Sequence, residues 1–197
     1  MRKKHIILGV TASIAIYKAC EIIRRLSQAN LVLSVVMTKN AARLISPRVF
    51  SSLTGGRVYW DEFTPPFLQA EHSSEGRAGF TQPTNWEIEH ISLAKRADLV
   101  LIAPATANII GKIAGGIADD LLSTTVIATR APVLIAPAMN ESMYKNKIVQ
   151  ENIKKLKALG YKFVGPIRGQ LACGDIGVGH LAEVETIIKE VKKQLSL

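Results

Sequence analysis

The sequence predicts a doubly wound α/β fold, a parallel sheet of the Rossmann or flavodoxin-like kind with helices on both faces. Strand-like apolar runs alternate with helix-period stretches along the chain, which is the pattern of repeated β–α units. Several of those runs are continuously apolar, the mark of parallel strands covered on both sides. The length of 197 residues and the 48% apolar content suit one globular domain, burying roughly 70% of the surface its unfolded chain would expose. Residues 1–197 read as a single domain with no internal repeat or linker.

The start, MRKKHIILGVTAS, is basic then apolar. Its apolar run is short and lacks a small-residue cleavage site, so it reads as a strand and not a signal peptide. That strand, Ile6 to Val10, ends in Thr11-Ala12-Ser13. Ile16, Ala19, Ile22, Ile23 and Leu26 then recur at helical spacing. A β-branched second strand, Leu31 to Met37, ends in Thr38-Lys39-Asn40 before another helix-like stretch. The third strand, Asp98 to Ala103, stops at Pro104 and passes through Thr106-Ala107-Asn108 into a helix reaching Ala114. Asp119 to Ala128 reads as a further helix. Pro132 to Ala136 is the fourth strand, followed by Pro137-Ala138-Met139-Asn140. One long amphipathic helix is expected from Lys145 to Leu159, ending at Gly160, where a left-handed turn favours glycine. Tyr161 to Val164 forms a fifth strand and Val184 to Leu195 a closing helix. Residues 64–85, with three prolines and two glycines, read as an irregular, mobile insertion.

The chain carries 25 Lys+Arg against 16 Asp+Glu, a net charge of +9. That excess favours anionic partners, but it is spread over solvated helix faces. Without aromatic interleaving or a recognisable module it does not indicate nucleic-acid binding. The longest apolar stretch is broken by Pro104, Thr106 and Asn108, so no membrane span is expected. Cys20 and Cys173 form no disulfide framework, which makes a reducing cytoplasm the default.

In such sheets ligands gather where strands end, near the point at which strand order reverses. Four strand ends here are short and polar: Thr11-Ala12-Ser13, Thr38-Lys39-Asn40, Thr106-Ala107-Asn108 and Ala138-Met139-Asn140. Each alone is explained by helix capping. Three such turns on one sheet edge favour a phosphate-bearing ligand, because helix starts present open N–H groups and positive dipole ends. With no G-x-G-x-x-G and no Walker lysine, a mononucleotide such as FMN fits better than a dinucleotide. Residues 165–180, GPIRGQLACGDIGVGH, hold five of the 14 glycines. They read as a mobile lid or as backbone approaching a ligand closely. Cys173 within them is either a plain loop thiol or an acid, base or nucleophile. Cys20 reads as core. His90, before the third strand, reads more often as a packed or capping residue than as a catalyst.

Taken together, GVTASIAIYKA, HISLAKRADLVLIAPATANIIGKIAGGIADDLLS, APAMNESMY and LACGDIGVGHLAE resemble the homo-oligomeric flavin-containing cysteine decarboxylases over all but residues 64–85. The lid and the P-A-M-N run are nearest to the branch acting on 4′-phosphopantothenoylcysteine in coenzyme A biosynthesis. The resemblance implies FMN held by Ala12, Ser13, Ile14, Thr38, Thr106, Ala107, Asn108 and Ile109, with Ala138 near the ring. It implies His90 and Cys173 as catalytic residues, and Asn140, Met143, Ala172 and Gly174 on the substrate side. No metal is implied. It further implies trimers, or dodecamers built from them, with active sites between subunits. Many bacterial relatives carry a fused ligase domain that this sequence lacks; if the chain is a complete protein, decarboxylation alone is expected. Relative to the family pattern, Ala12 stands where glycine is common, His180 where arginine is, and Tyr144 where tryptophan is. The alternatives on the same fold are a peptidyl-cysteine decarboxylase, a flavin prenyltransferase or reductase, and a non-catalytic regulatory subunit. The A-C-G-D run argues against the prenyltransferase and reductase, and the presence of both His90 and Cys173 argues against the regulatory subunit.

Overall fold

The structure is a computed structural model and describes residues 2–60, 89–170 and 176–196. Six parallel strands form the sheet: β1 (Lys4–Val10), β2 (Leu31–Met37), β3 (Val58–Tyr59), β4 (Leu99–Ala105), β5 (Val133–Pro137) and β6 (Lys162–Phe163). Their spatial order is β3-β2-β1-β4-β5-β6, so the winding reverses between β1 and β4. Both central strands pair in parallel over the same stretch, Ile6 opposite Leu99 and Gly9 opposite Ile102.

Period-two alternation along these strands builds two cores. Ile6, Leu8 and Val10 of β1 and Leu99, Leu101 and Ala103 of β4 face one side. Ile7, Val100 and Ile102 face the other. The first core is closed by α1 (Lys18–Ser27), by α3 (Pro47–Thr54) through Phe50, and by α9 (Val184–Leu195). The second is closed by α4 (Glu89–Arg96), α5 (Ala107–Gly115), α6 (Leu121–Ala128) and α8 (Lys147–Ala158). All seven residues of β4 are buried, as the unbroken apolar run requires. At Gly9 an added Cβ would lie 2.6 Å from Leu122 Cδ1, so glycine lets α6 press directly on β1.

Four differences from the sequence reading have local causes. The stretch after Met37 forms two short helices, α2 (Lys39–Leu44) and α3, because Ser46 and Pro47 restart the chain. The helix expected from Lys145 to Leu159 is present as α8 (Lys147–Ala158), but a short helix that the sequence reading did not include, α7 (Glu141–Lys145), precedes it. Asn146 ends α7 and caps α8, its side chain accepting from the Ile148 N–H at 2.9 Å. The edge strand β3 is two residues long, too short to show a period. The glycine-rich stretch contains an antiparallel hairpin of β7 (Ile167–Gln170) and β8 (Ile176–His180). The expected turn at Gly160 is present, with φ of 93°. Residues 64–85 lie outside the described residues.

Candidate active site

The rim where β1, β2, β4 and β5 end collects the polar turns. Thr11, 1% exposed, is its central fastening. Its Oγ1 donates to the Pro104 carbonyl at 2.8 Å and accepts from the Thr106 N–H at 3.0 Å. One hydroxyl thereby joins the two loops that diverge at the reversal of strand order. Sequence reasoning picked out this turn but not the role of Thr11. A hydroxyl at the end of an apolar strand, facing an X-Pro strand end, was the only signal.

Ser13 caps a 3-10 turn, Ile14–Tyr17, its Oγ accepting from the Ala15 N–H at 3.3 Å. Ala12 and Ser13 are half-buried, while Ile14 is 70% exposed. Thr38 donates its N–H to the Val10 carbonyl at 3.0 Å, and its Oγ1 accepts from the Ala41 N–H at 3.2 Å, capping α2. Thr106 occupies the N-cap of α5 in extended conformation, yet its side chain makes no capping bond. The first turn of α5, at Ala107, Asn108 and Ile109, therefore begins without the side-chain acceptor found at the other turns. The Ile109 side chain is 1% exposed and packs in the second core, so this residue offers the rim only its backbone.

The turn after β5 is tied to its neighbour by the Ala138 N–H, which donates to the Ala105 carbonyl at 2.9 Å. Ala138 is buried against the first core. Asn140 is exposed and caps α7, its Oδ1 accepting from the Ser142 N–H at 2.8 Å. Met143 is 49% exposed on α7. The Met139 N–H donates to the Gly179 carbonyl at 3.0 Å, which lays the β7–β8 hairpin against this turn. A Cβ on Gly179 would sit 2.1 Å from the Met139 oxygen. Glycine is thus needed here for close packing of chain on chain. Glu141 accepts from the Val178 N–H at 3.0 Å and pairs with Lys145 at 3.0 Å. These two, with the charge of Arg168, hold its carboxyl below the usual range.

His90 lies near the start of α4, half-buried, with its Nδ1 buried. The far end of α4 leads into β4 at the opposite edge, where the Asp98 N–H donates to the His5 carbonyl at 2.8 Å. The helix therefore runs antiparallel to the strands and its His90 end is directed toward the rim. Beside it, Glu89 pairs with Arg57, whose guanidinium lies 4.6 Å over the Tyr59 ring. Cys20 is half-buried against the first core, and burial pushes its thiol pKa up. Ala172, Cys173 and Gly174 lie outside the described residues. Among the described residues no group of histidine, cysteine, aspartate or glutamate is arranged to hold a metal ion, and no helix is long and apolar enough to cross a membrane.

A family model described as Flavoprotein matches residues 1–196. The chain is 42% identical over 196 residues to the coenzyme A biosynthesis bifunctional protein CoaBC of Bacillus subtilis, covering 100% of this chain and 44% of that protein. It thus spans less than half the length of such bifunctional relatives. It is 38% identical over 194 residues to a probable phosphopantothenoylcysteine decarboxylase of Streptococcus mutans, covering 98% and 99% of the two chains. Among solved structures, a PPC decarboxylase mutant complexed with pantothenoylaminoethenethiol superposes with a TM-score of 0.81 at 27% identity, covering 100% of both chains. The FMN-dependent cysteine decarboxylase SpaF superposes with a TM-score of 0.75 at 29% identity, covering 98% of each.

Proposed function

From the premise that this chain belongs to the Flavoprotein family, we propose that it is an FMN-dependent decarboxylase. Its substrate is 4′-phosphopantothenoylcysteine, and its product, 4′-phosphopantetheine, belongs to coenzyme A biosynthesis. The observation that carries the reading is the start of α5. Ser13, Thr38 and Asn140 each accept a backbone N–H at their own helix start, whereas Thr106 does not. That leaves the first turn of a nine-residue helix, beside the reversal of strand order, suited to an anionic group. A mononucleotide phosphate fits there, with Ala12, Ser13, Ile14, Thr38, Thr106, Ala107, Asn108 and the backbone of Ile109 as its holders. Ala138 belongs near the ring.

The chemistry demands an electron sink. The cysteine carboxylate cannot depart from an unactivated carbon, because the electrons of the broken bond have nowhere to go. Bound FMN would supply reversible two-electron chemistry at the thiol-bearing carbon. With that carbon at the thioaldehyde level, the C=S group lies β to the carboxylate and takes up the electrons as CO₂ leaves. Because the cofactor would end in its starting state, the net balance to the aminoethanethiol product is one proton consumed and one CO₂ released. His90 assists removal of the thiol proton. Asn140 holds the carboxylate through its side-chain amide, and Met143, Ala172 and Gly174 border the substrate. Cys173 donates the proton to the enethiolate carbon. The assembly is a homo-oligomer, a trimer or a dodecamer of four trimers, with His90 and Cys173 meeting from neighbouring subunits in the cytoplasm.

The test is purification followed by an absorption spectrum and a CO₂ assay on 4′-phosphopantothenoylcysteine. A yellow protein yielding phosphopantetheine is expected. A protein that stays colourless in excess FMN, or releases no CO₂, overturns the reading. A different family-level reading, a peptidyl-cysteine decarboxylase, is separated by the same assay run with a cysteine-terminated peptide.

A further inference from the structure

Glu141 is the first residue of α7, where an acidic side chain is ordinarily explained by the positive end of the helix. Its contacts go elsewhere. Its Oε1 accepts from the backbone N–H of Val178 on β8 at 3.0 Å and meets Lys145 Nζ at 3.0 Å. Strand β8 presses so closely that a Cβ on Gly177 would lie 2.8 Å from the Glu141 Cδ. One residue beyond Val178, the Gly179 carbonyl accepts from the Met139 N–H at 3.0 Å. The hairpin strand is therefore pinned twice to the segment 139–141, once by backbone and once by a carboxylate, and Asn140 stands between the two pins. The charged groups facing the carboxylate are Lys145 on its own helix and Arg168 on β7. Together the three leave one net positive charge beside the turn, which suits an anionic substrate.

We propose that Glu141 is a positioning residue that fastens the β7–β8 hairpin to the Asn140 turn and so sets substrate affinity at that turn. The part concerning substrate rests on the decarboxylase reading. A surface ion pair with Lys145 alone would hold nothing outside α7. The bond to Val178 is different, because it joins two elements 37 residues apart in sequence.

Three proteins in the FMN-bound form decide the matter: the unmodified chain, Glu141→Ala and Glu141→Gln. In Glu141→Ala, amide hydrogen exchange across 176–180 should rise about tenfold, the scale of one charge-assisted hydrogen bond. Exchange in β1 and β4 should stay unchanged. The KM for 4′-phosphopantothenoylcysteine should rise about tenfold with a much smaller change in kcat, since binding and not chemistry is affected. Glu141→Gln keeps an amide oxygen for Val178 and should recover most of both effects. Unchanged exchange in β8, a rise spread over the central strands, or an unaltered KM in Glu141→Ala each overturns the proposal. Should the unmodified chain release no CO₂ from this conjugate, the decarboxylase reading falls, and the exchange measurement alone decides the fastening.

Discussion

Thr11 shows how much one side chain arranges at the rim. Its hydroxyl serves Pro104 and Thr106 together, so Thr11→Val keeps the shape and removes both bonds. The Pro104 carbonyl keeps the Thr11 backbone N–H at 3.3 Å, but the Thr106 N–H loses its acceptor, which costs about 1–3 kcal/mol. Thr11→Val should lower the thermal midpoint and also weaken FMN retention, which comparison by flavin fluorescence during dialysis measures. An unaltered retention would mean that the loops after β1 and β4 hold their places without it. Cys173 makes a different prediction, because its proposed task comes after CO₂ has left. Cys173→Ser should still release CO₂ but accumulate a product two hydrogens short of phosphopantetheine, visible by mass spectrometry. Complete turnover would refute the proton-donor role. The sequence marked both residues, but for unequal reasons. Cys173 stood out through its glycine neighbours, whereas the function of Thr11 depends on a carbonyl 93 residues away that no local pattern announces.

Among the elements, the long buried strands and the amphipathic helices were legible because burial imposes a period. Residues Leu31–Met37 and the closing helix Val184–Leu195 match their predicted spans. The misreadings fall where a cap or a distant partner decides. Asn146 breaks an otherwise helical run by accepting from the Ile148 N–H, and β3 exists only because β2 offers Val35 and Val36 as partners. The hairpin was hidden for the same reason, since two of its glycines, Gly177 and Gly179, answer to Glu141 and Met139, which lie outside it. Gly179→Ala tests this. Its Cβ would meet a backbone oxygen, which cannot swing aside, so β8 must lift from the Asn140 turn. Overpacking of this kind costs typically about 1–3 kcal/mol. Activity should fall by more than tenfold with the flavin spectrum preserved, because the cofactor turns lie on other strands. Equal loss of flavin and activity would show that the hairpin supports the whole rim.

At the scale of the whole molecule, acid should act in two stages. His5 is half-buried at the edge opposite the candidate site, with Nε2 2.8 Å from Ser34 Oγ. Burial first, then Arg96 and Arg2, lower its pKa against the opposing pull of Asp98. A base with a depressed folded pKa takes up its proton more readily when unfolded, so stability is lost as pH falls below about 6.5. Asp98 and Asp120 are also lowered, but by partners and not by burial. Burial opposes their ionisation, but the His5 N–H with Arg2 and Lys4 outweighs it at Asp98, and Lys112 with Ser123 does so at Asp120. Their depressed folded pKa values confer stability present above about pH 4, the unfolded range, and lost as pH falls through the folded values. Thermal midpoints measured from pH 8 to 3 should therefore step down twice. His5→Gln should flatten the upper step alone, and a single acid transition below pH 4 would contradict the assignment. The doubly wound architecture was plain in the residues, as were the polar turns at the strand ends. The cross-sheet setting of His5 and Asp98 was not, since it needs the register of β1 against β4.

Both margins of the six-stranded sheet, β3 and β6, are only two residues long among the described residues. A foreign strand approaching either margin meets a docking row of a couple of peptide groups, too little to extend the sheet into a continuous ribbon. Copies of this chain that associate are therefore not joined by extending this sheet. The same brevity guards against open-ended fibre growth when the protein is crowded.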